Sequence, residues 1–333
     1  MISLISNSKI YNQPSFGAKL SVVLSSNPLK MKADEFLKNG NFDKAIEYYK
    51  AVLAQSPDDS EVNLSLAKTY TYNNQYKQAI PHLENYLKAR PDDIENITLL
   101  GECCKKSGMF AKSIEHFNKA LAIEPSYDYA RRNLLDAQNL QLACYDPQKA
   151  KQERYNTAIK NLTEAVKIAK QNLSKGYTDN MKDIVVSFDK TSKMGGRANI
   201  AQYEHSKRKV SVTDEYTYAD PQLTGAYVIH EFVHGKDNDP YTSIREEQDA
   251  YRVQAKYWVD NVKNIYDPEM DYVADLYKQS AKALDDRVAE IYRLRDPGIP
   301  ETSYNHPPTK GKAAAFSLSS SAGKPLKAYE IIV

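Results

Sequence analysis

Between residues 28 and 145 the apolar and small positions return every 34 residues, and Pro57, Pro91 and Pro125 mark the same point in three successive blocks. Small residues keep step at Ala33, Ala67 and Gly101, and again at Ala45, Ala79 and Ser113, where two helices must approach closely. Aromatic side chains do the same at Phe42, Tyr76 and Phe110. Asn39-Gly40, Asn73-Asn74 and Ser107-Gly108 fall between the halves of each block. Gly and Asn tolerate the left-handed backbone of a tight turn, so these dipeptides predict two helices per block. Each pair buries its apolar face only against the next, and the last pair needs a lid. Asp128 to Cys144 reads as that capping helix.

Beyond residue 145 the period changes. Asp146-Pro147 opens a helix with Tyr155, Ala158, Ile159, Leu162, Val166, Ala169 and Leu173 on its apolar face, ending near Gly176. The β-branched run 183–189 predicts a buried strand, and the polar stretch 190–196 separates it from a hairpin made of 197–203 and 209–213. Asp220-Pro221 is a helix start, followed by Leu223, Ala226, Tyr227 and His230 at helical spacing. Gly235 suits a left-handed helix end. A further helix from Ser243 aligns Ile244, Glu247, Tyr251, Gln254 and Trp258 on one stripe, and Ser243 with Glu246 fits a capping box. Asp267-Pro268 begins one long helix, apolar at Val273, Leu276, Ala281, Leu284, Val288 and Ile291 and ending near Arg295. From about 300 the composition turns to Pro, Ser, Lys and Ala, which predicts a disordered tail. The fold class expected is α+β and mostly helical, an α-solenoid followed by a domain with a small sheet.

The chain has 333 residues and 41% hydrophobic content, enough for a core in each of two domains. A net charge of +2 gives no reason to expect a nucleic-acid partner. Three cysteines, two of them adjacent, argue against a disulfide framework. No apolar run approaches the roughly 18 residues of a transmembrane segment. Residues 1–27 lack a sustained apolar stretch behind a basic start and read as a flexible leader, with a cytoplasmic location expected.

The candidate chemistry lies at His230-Glu231-Phe232-Val233-His234. Histidines four apart on a helix share a face and can bind one Zn²⁺, with the adjacent Glu231 in reach of a metal-activated water. Zn²⁺ lowers the pKa of such a water to about 7, and a carboxylate can then take its proton as general base. Catalytic zinc usually has three protein ligands. Glu247, in its otherwise largely apolar stripe, is the first candidate for the third. Glu246 is the alternative, though the capping box already occupies it, and Asp237 and Asp239 are further candidates, Asp237 also as a partner orienting a histidine. Tyr216, Tyr218, Tyr227 and Tyr251 each qualify as oxyanion donors, and nothing in the sequence selects among them. His82, His116 and His306 have no metal-ligand spacing, and His205, in the hairpin turn, reads as solvated rather than catalytic.

The H-E-x-x-H helix followed by Glu247-x-x-Ala250 resembles the gluzincin-type zinc metallopeptidases, especially their small bacterial forms, over about 30 residues. The resemblance implies a zinc metalloendopeptidase with a zincin-like domain, His230, His234 and Glu247 as metal ligands, Glu231 as catalytic base, and a protein or peptide substrate paired along one sheet strand. The blocks at 28–145, such as Gly40-Asn-Phe-Asp-Lys-Ala-Ile-Glu-Tyr-Tyr, resemble tetratricopeptide (TPR) repeats, which implies a protein partner in the TPR groove. The carboxylate clamp that some such repeats use for chaperone tails would fall on Lys30, Asp34, Ser65, Glu95 and Leu99, of which four are the wrong type. The expected organisation is a leader at 1–27, the repeats at 28–145, the zincin-like domain at 146–299 and a tail at 300–333.

Overall fold

The computed structural model describes residues 27–179, 181, 183–190, 200–235, 243–295 and 330–332. The described residues form two compact units, one up to Ala150 and one from Lys151 onward.

The first unit stacks antiparallel helix pairs: α1 (Pro28–Lys38) with α2 (Phe42–Gln55), α3 (Ser60–Tyr72) with α4 (Tyr76–Ala89), and α5 (Ile94–Lys106) with α6 (Phe110–Ile123), closed by α7 (Asp128–Ala143). Asn27, Asp59 and Asp93 accept from backbone N–H groups at the starts of α1, α3 and α5. Gly40, Asn74 and Gly108 take positive φ of 72°, 57° and 76°, the left-handed turns the dipeptide pattern predicts. The small-residue register follows from close approach. A Cβ on Gly101 would lie 2.8 Å from the Phe117 ring, and the Ser113 hydroxyl donates to the Gly101 carbonyl at 2.8 Å. Tyr49 donates to Asp34 and Tyr86 to Asp93, so two buried phenols tie helices together through polar ends.

The second unit includes the greater part of α8 (Pro147–Asn172), then α9 (Lys175–Thr178), β1 (Val185–Asp189), β2 (Ala201–Glu204), β3 (Lys209–Thr213), α10 (Pro221–His234), α11 (Ile244–Asn261), α12 (Pro268–Gln279), α13 (Ala281–Arg295) and β4 (Glu330–Ile332). The small mixed sheet has the order β2-β3-β1-β4. β1 runs parallel to β3 with Val186 opposite Val210, while β2 and β4 are antiparallel to their neighbours. Its apolar face, Val186, Phe188, Val210 and Val212, packs in one core with Leu162 and Ala169 of α8 and Leu223 and Phe232 of α10.

Two features set the position of α10. A Cβ on Gly225 would meet Ile168 at 2.9 Å, so the glycine lets α10 lie close against α8. The amide of Asn161 donates to the carbonyls of Tyr216, Thr217 and Ala219, which ties down the approach to α10 from a buried position on α8.

Three expectations are corrected. The segment after Asp267 is two helices rather than one, because Ser280 is extended (φ −173°, ψ 153°) and its hydroxyl accepts the N–H of Ala283 at the start of α13. Gly235 has φ −76° and ψ 0°, not a left-handed conformation, since its N–H still bonds back to Glu231 and Val233. Glu330–Ile332, inside the region read as a disordered tail, pairs with β1 as a strand. Residues 1–26, which include most of the expected leader, residues 191–199, which include most of the expected polar stretch and the start of the first hairpin strand, and Asp237, Asp239, Tyr241 and His306 lie outside the described residues.

Candidate metal centre

α10 begins with Asp220 as N-cap, its side chain accepting the N–H of Gln222, and Pro221 at the first helical position. One helical turn then brings His230 and His234 side by side, with ring centroids 5.1 Å apart. α11 starts with both halves of the Ser243–Glu246 capping box formed, which engages Glu246 at the helix end and turns Glu247 inward. Ligand atoms of His230, His234 and Glu247 all lie within 4.8 Å of one another. Nε2 of His230 is 3.4 Å from one Glu247 oxygen, and Nε2 of His234 is 3.5 Å from the other.

The two histidine-to-Glu247 distances match those around a small tetrahedral cation, whose ligands at about 2.0–2.1 Å stand roughly 3.3–3.4 Å apart, while the three ligand atoms together are spread more loosely. Nε2 of His230 is buried with no hydrogen-bond partner among the described residues, which is the condition of a nitrogen awaiting a ligand. Two imidazoles and one carboxylate are also a donor set zinc accepts. The electrostatics point the same way. Burial draws the His234 pKa down, but the charge and hydrogen bond of Glu247, with the charge of Glu231, more than offset this and bring it to about 9. Burial, the largest single influence, acts to raise the Glu247 carboxyl, and the two histidines together, His234 foremost, outweigh it and hold the group well below the usual carboxylate range. The cluster therefore favours a positive charge among its three side chains.

Glu231 is 2% exposed, and its Oε2 accepts the backbone N–H of Tyr203 on β2 at 2.7 Å. Three neighbours complete the surroundings. Tyr251 packs edge-on against the His230 ring with centroids 4.5 Å apart, and Gln254 Oε1 is 3.2 Å from Nδ1 of His230. Tyr292 on α13 donates to Glu247 Oε2 at 2.6 Å. Sequence reasoning missed Tyr292 altogether. Gln254 had one signal, a buried amide on the same stripe as Glu247.

The other candidates are dispersed. Tyr227 is fully buried against Tyr216, and His205 stacks edge-on with Tyr203 in a short turn after β2. His82 meets Asn63 at 2.8 Å inside the helix array.

Residues 36–103 and 70–135 match the tetratricopeptide repeat family, so the chain carries a TPR domain. No curated protein matches the sequence. Among solved structures, MamA from Desulfovibrio magneticus RS-1 is similar at 22% identity over 38% of this chain and 73% of that one, with a TM-score of 0.32. The Sgt2 TPR domain from Aspergillus fumigatus is similar at 18% identity over 35% of this chain and 79% of that one, with a TM-score of 0.31. Among the described residues no helix is long and apolar enough to cross a membrane.

Proposed function

We propose that the chain is a protein-binding scaffold, in which the repeats at 28–145 dock a segment of a partner protein and a zincin-like module at 146–299 holds zinc. The helix-pair array carries this reading, since stacked repeats offer an extended surface suited to a peptide or protein segment. His230, His234 and Glu247 are the residues that would hold the cation. When bound, zinc polarises a carbonyl and makes water acidic near pH 7.

A second reading is hydrolysis of peptide bonds, with Glu231 accepting a proton from water and returning it to the leaving amine. The observation that favours it is the acid itself, because metal binding alone has no need of a glutamate beside the first histidine. What favours the scaffold is the state of that acid. Its Oε2 is engaged by the N–H of Tyr203 on β2, the terminal strand of the sheet that lies beside the cluster and the one an extended peptide near Glu231 would pair with.

Peptides selected from a displayed library by the full chain should slow amide exchange in α1, α3 and α5. Ligands that protect only residues beyond 150 would remove the array from the proposal. Turnover of a mixed peptide library, with and without chelator, tests the second reading. Under it, Glu231→Gln keeps zinc and lowers turnover by about 10²-fold or more. Equal turnover in the two proteins discards it.

A further inference from the structure

Among the described residues, two side chains outside the ligand set make polar contacts to it. Gln254, fully buried on α11, presents Oε1 to Nδ1 of His230 at 3.2 Å. An amide oxygen can only accept, so with the amide in this orientation a neutral His230 carries its proton on Nδ1 and has a bare lone pair on Nε2. That lone pair faces a Glu247 oxygen 3.4 Å away, and two electron pairs at that distance repel unless a cation lies between them. Gln254 Nε2, by contrast, is buried with no hydrogen-bond partner among the described residues. Rotating the amide by half a turn would bring Nε2 to His230, move the imidazole proton to the other nitrogen, and let His230 bond directly to Glu247. The two orientations of one buried amide therefore correspond to a metal-ready and a closed pair. Tyr292 acts on the other ligand. Its hydroxyl donates to Glu247 Oε2 at 2.6 Å, which fixes the carboxylate plane so that Oε1 remains directed at His234.

We infer that Gln254 and Tyr292 are positioning residues for a divalent cation, Gln254 by setting the tautomer of His230 and Tyr292 by fixing the rotamer of Glu247. The inference rests on the zinc centre proposed above. It adds that a neutral amide, whose orientation can reverse, governs how readily the centre loads.

The test is the zinc dissociation constant of the full chain, measured by chelator competition for the wild type and for Gln254→Leu, Gln254→Glu and Tyr292→Phe. Leucine removes the acceptor at similar volume, and zinc affinity should fall about 10- to 100-fold, as for Tyr292→Phe. Glutamate restores an acceptor that cannot reverse into a donor while ionised, and should bind zinc at least as tightly as the wild type. Nitrogen-15 shifts of His230 in the zinc-free protein supply a readout that a packing role would not move: the share of the proton on Nδ1 is higher in the wild type and Gln254→Glu than in Gln254→Leu, where Glu247 alone draws it to Nε2. If Gln254→Leu fails to fold, the other two variants decide. Wild-type protein that binds no zinc overturns the centre and this inference together. Wild-type binding with all variants within twofold of it overturns the inference alone.

Discussion

His82 shows how much of a histidine's behaviour comes from where the helix puts it. Its ring stacks on Tyr70, and Nδ1 meets Asn63 at 2.8 Å. Burial first, and the charge of Lys50 second, lower its pKa from the ordinary 6.5. The unfolded chain then binds a proton more readily than the folded one, so this group stabilises the fold above about pH 6.5 and the contribution is lost as the pH falls through the folded value. The urea midpoint followed by the array's own resonances should drop between pH 7 and 5, and less steeply in His82→Gln, which keeps a hydrogen bond to Asn63 without titrating. Equal slopes in the two proteins would remove His82 as the source. The members of the candidate metal cluster were legible at this scale because a four-residue spacing and a capping box are local facts of sequence. Tyr292 was not. It lies 45 positions from Glu247 and is one of 25 tyrosines, so only the packing of α13 on α11 selects it.

At the scale of elements, the repeat pattern carried the most information, since three copies of the same small residues, turns and prolines repeat one physical requirement. The single copies beyond residue 145 read less well. The apolar rows of α12 and α13 follow on without a visible gap, and the break at Ser280 shows only in its extended backbone. β4 is three residues long, with too few side chains to display an alternation, and its pairing with β1 is a long-range event. Asn161 is another element-scale device that a helix pattern does not announce, because a single asparagine on a mostly apolar face is usually an exception. It serves three carbonyls in the stretch before α10. Replacing it with Leu would leave buried acceptors unpaired, and the second unit should lose about 1–3 kcal/mol or more of stability in urea unfolding. A change below about 0.5 kcal/mol would mean that water replaces the amide without cost.

At the scale of the molecule, the two units have separate cores and separate sources of stability. The array draws on repeated helix contacts, each local to its neighbours, while the second unit includes a buried His-His-Glu cluster that could hold a cation. A ligand stabilises only the cooperative unit that binds it, by RT ln(1 + [L]/Kd), about 2.7 kcal/mol at a hundredfold excess over Kd. Removing zinc with a chelator should therefore speed amide exchange in α10, α11 and α13 and leave α3 and α5 unchanged. If the proposed centre binds zinc, the sign is fixed by linkage, whatever the chemistry at Glu231, because a chain unfolded at α10 and α11 has no assembled site. Equal acceleration in the array would show that both units open as one, and the repeats would then report the loading of the metal site to whatever protein they hold.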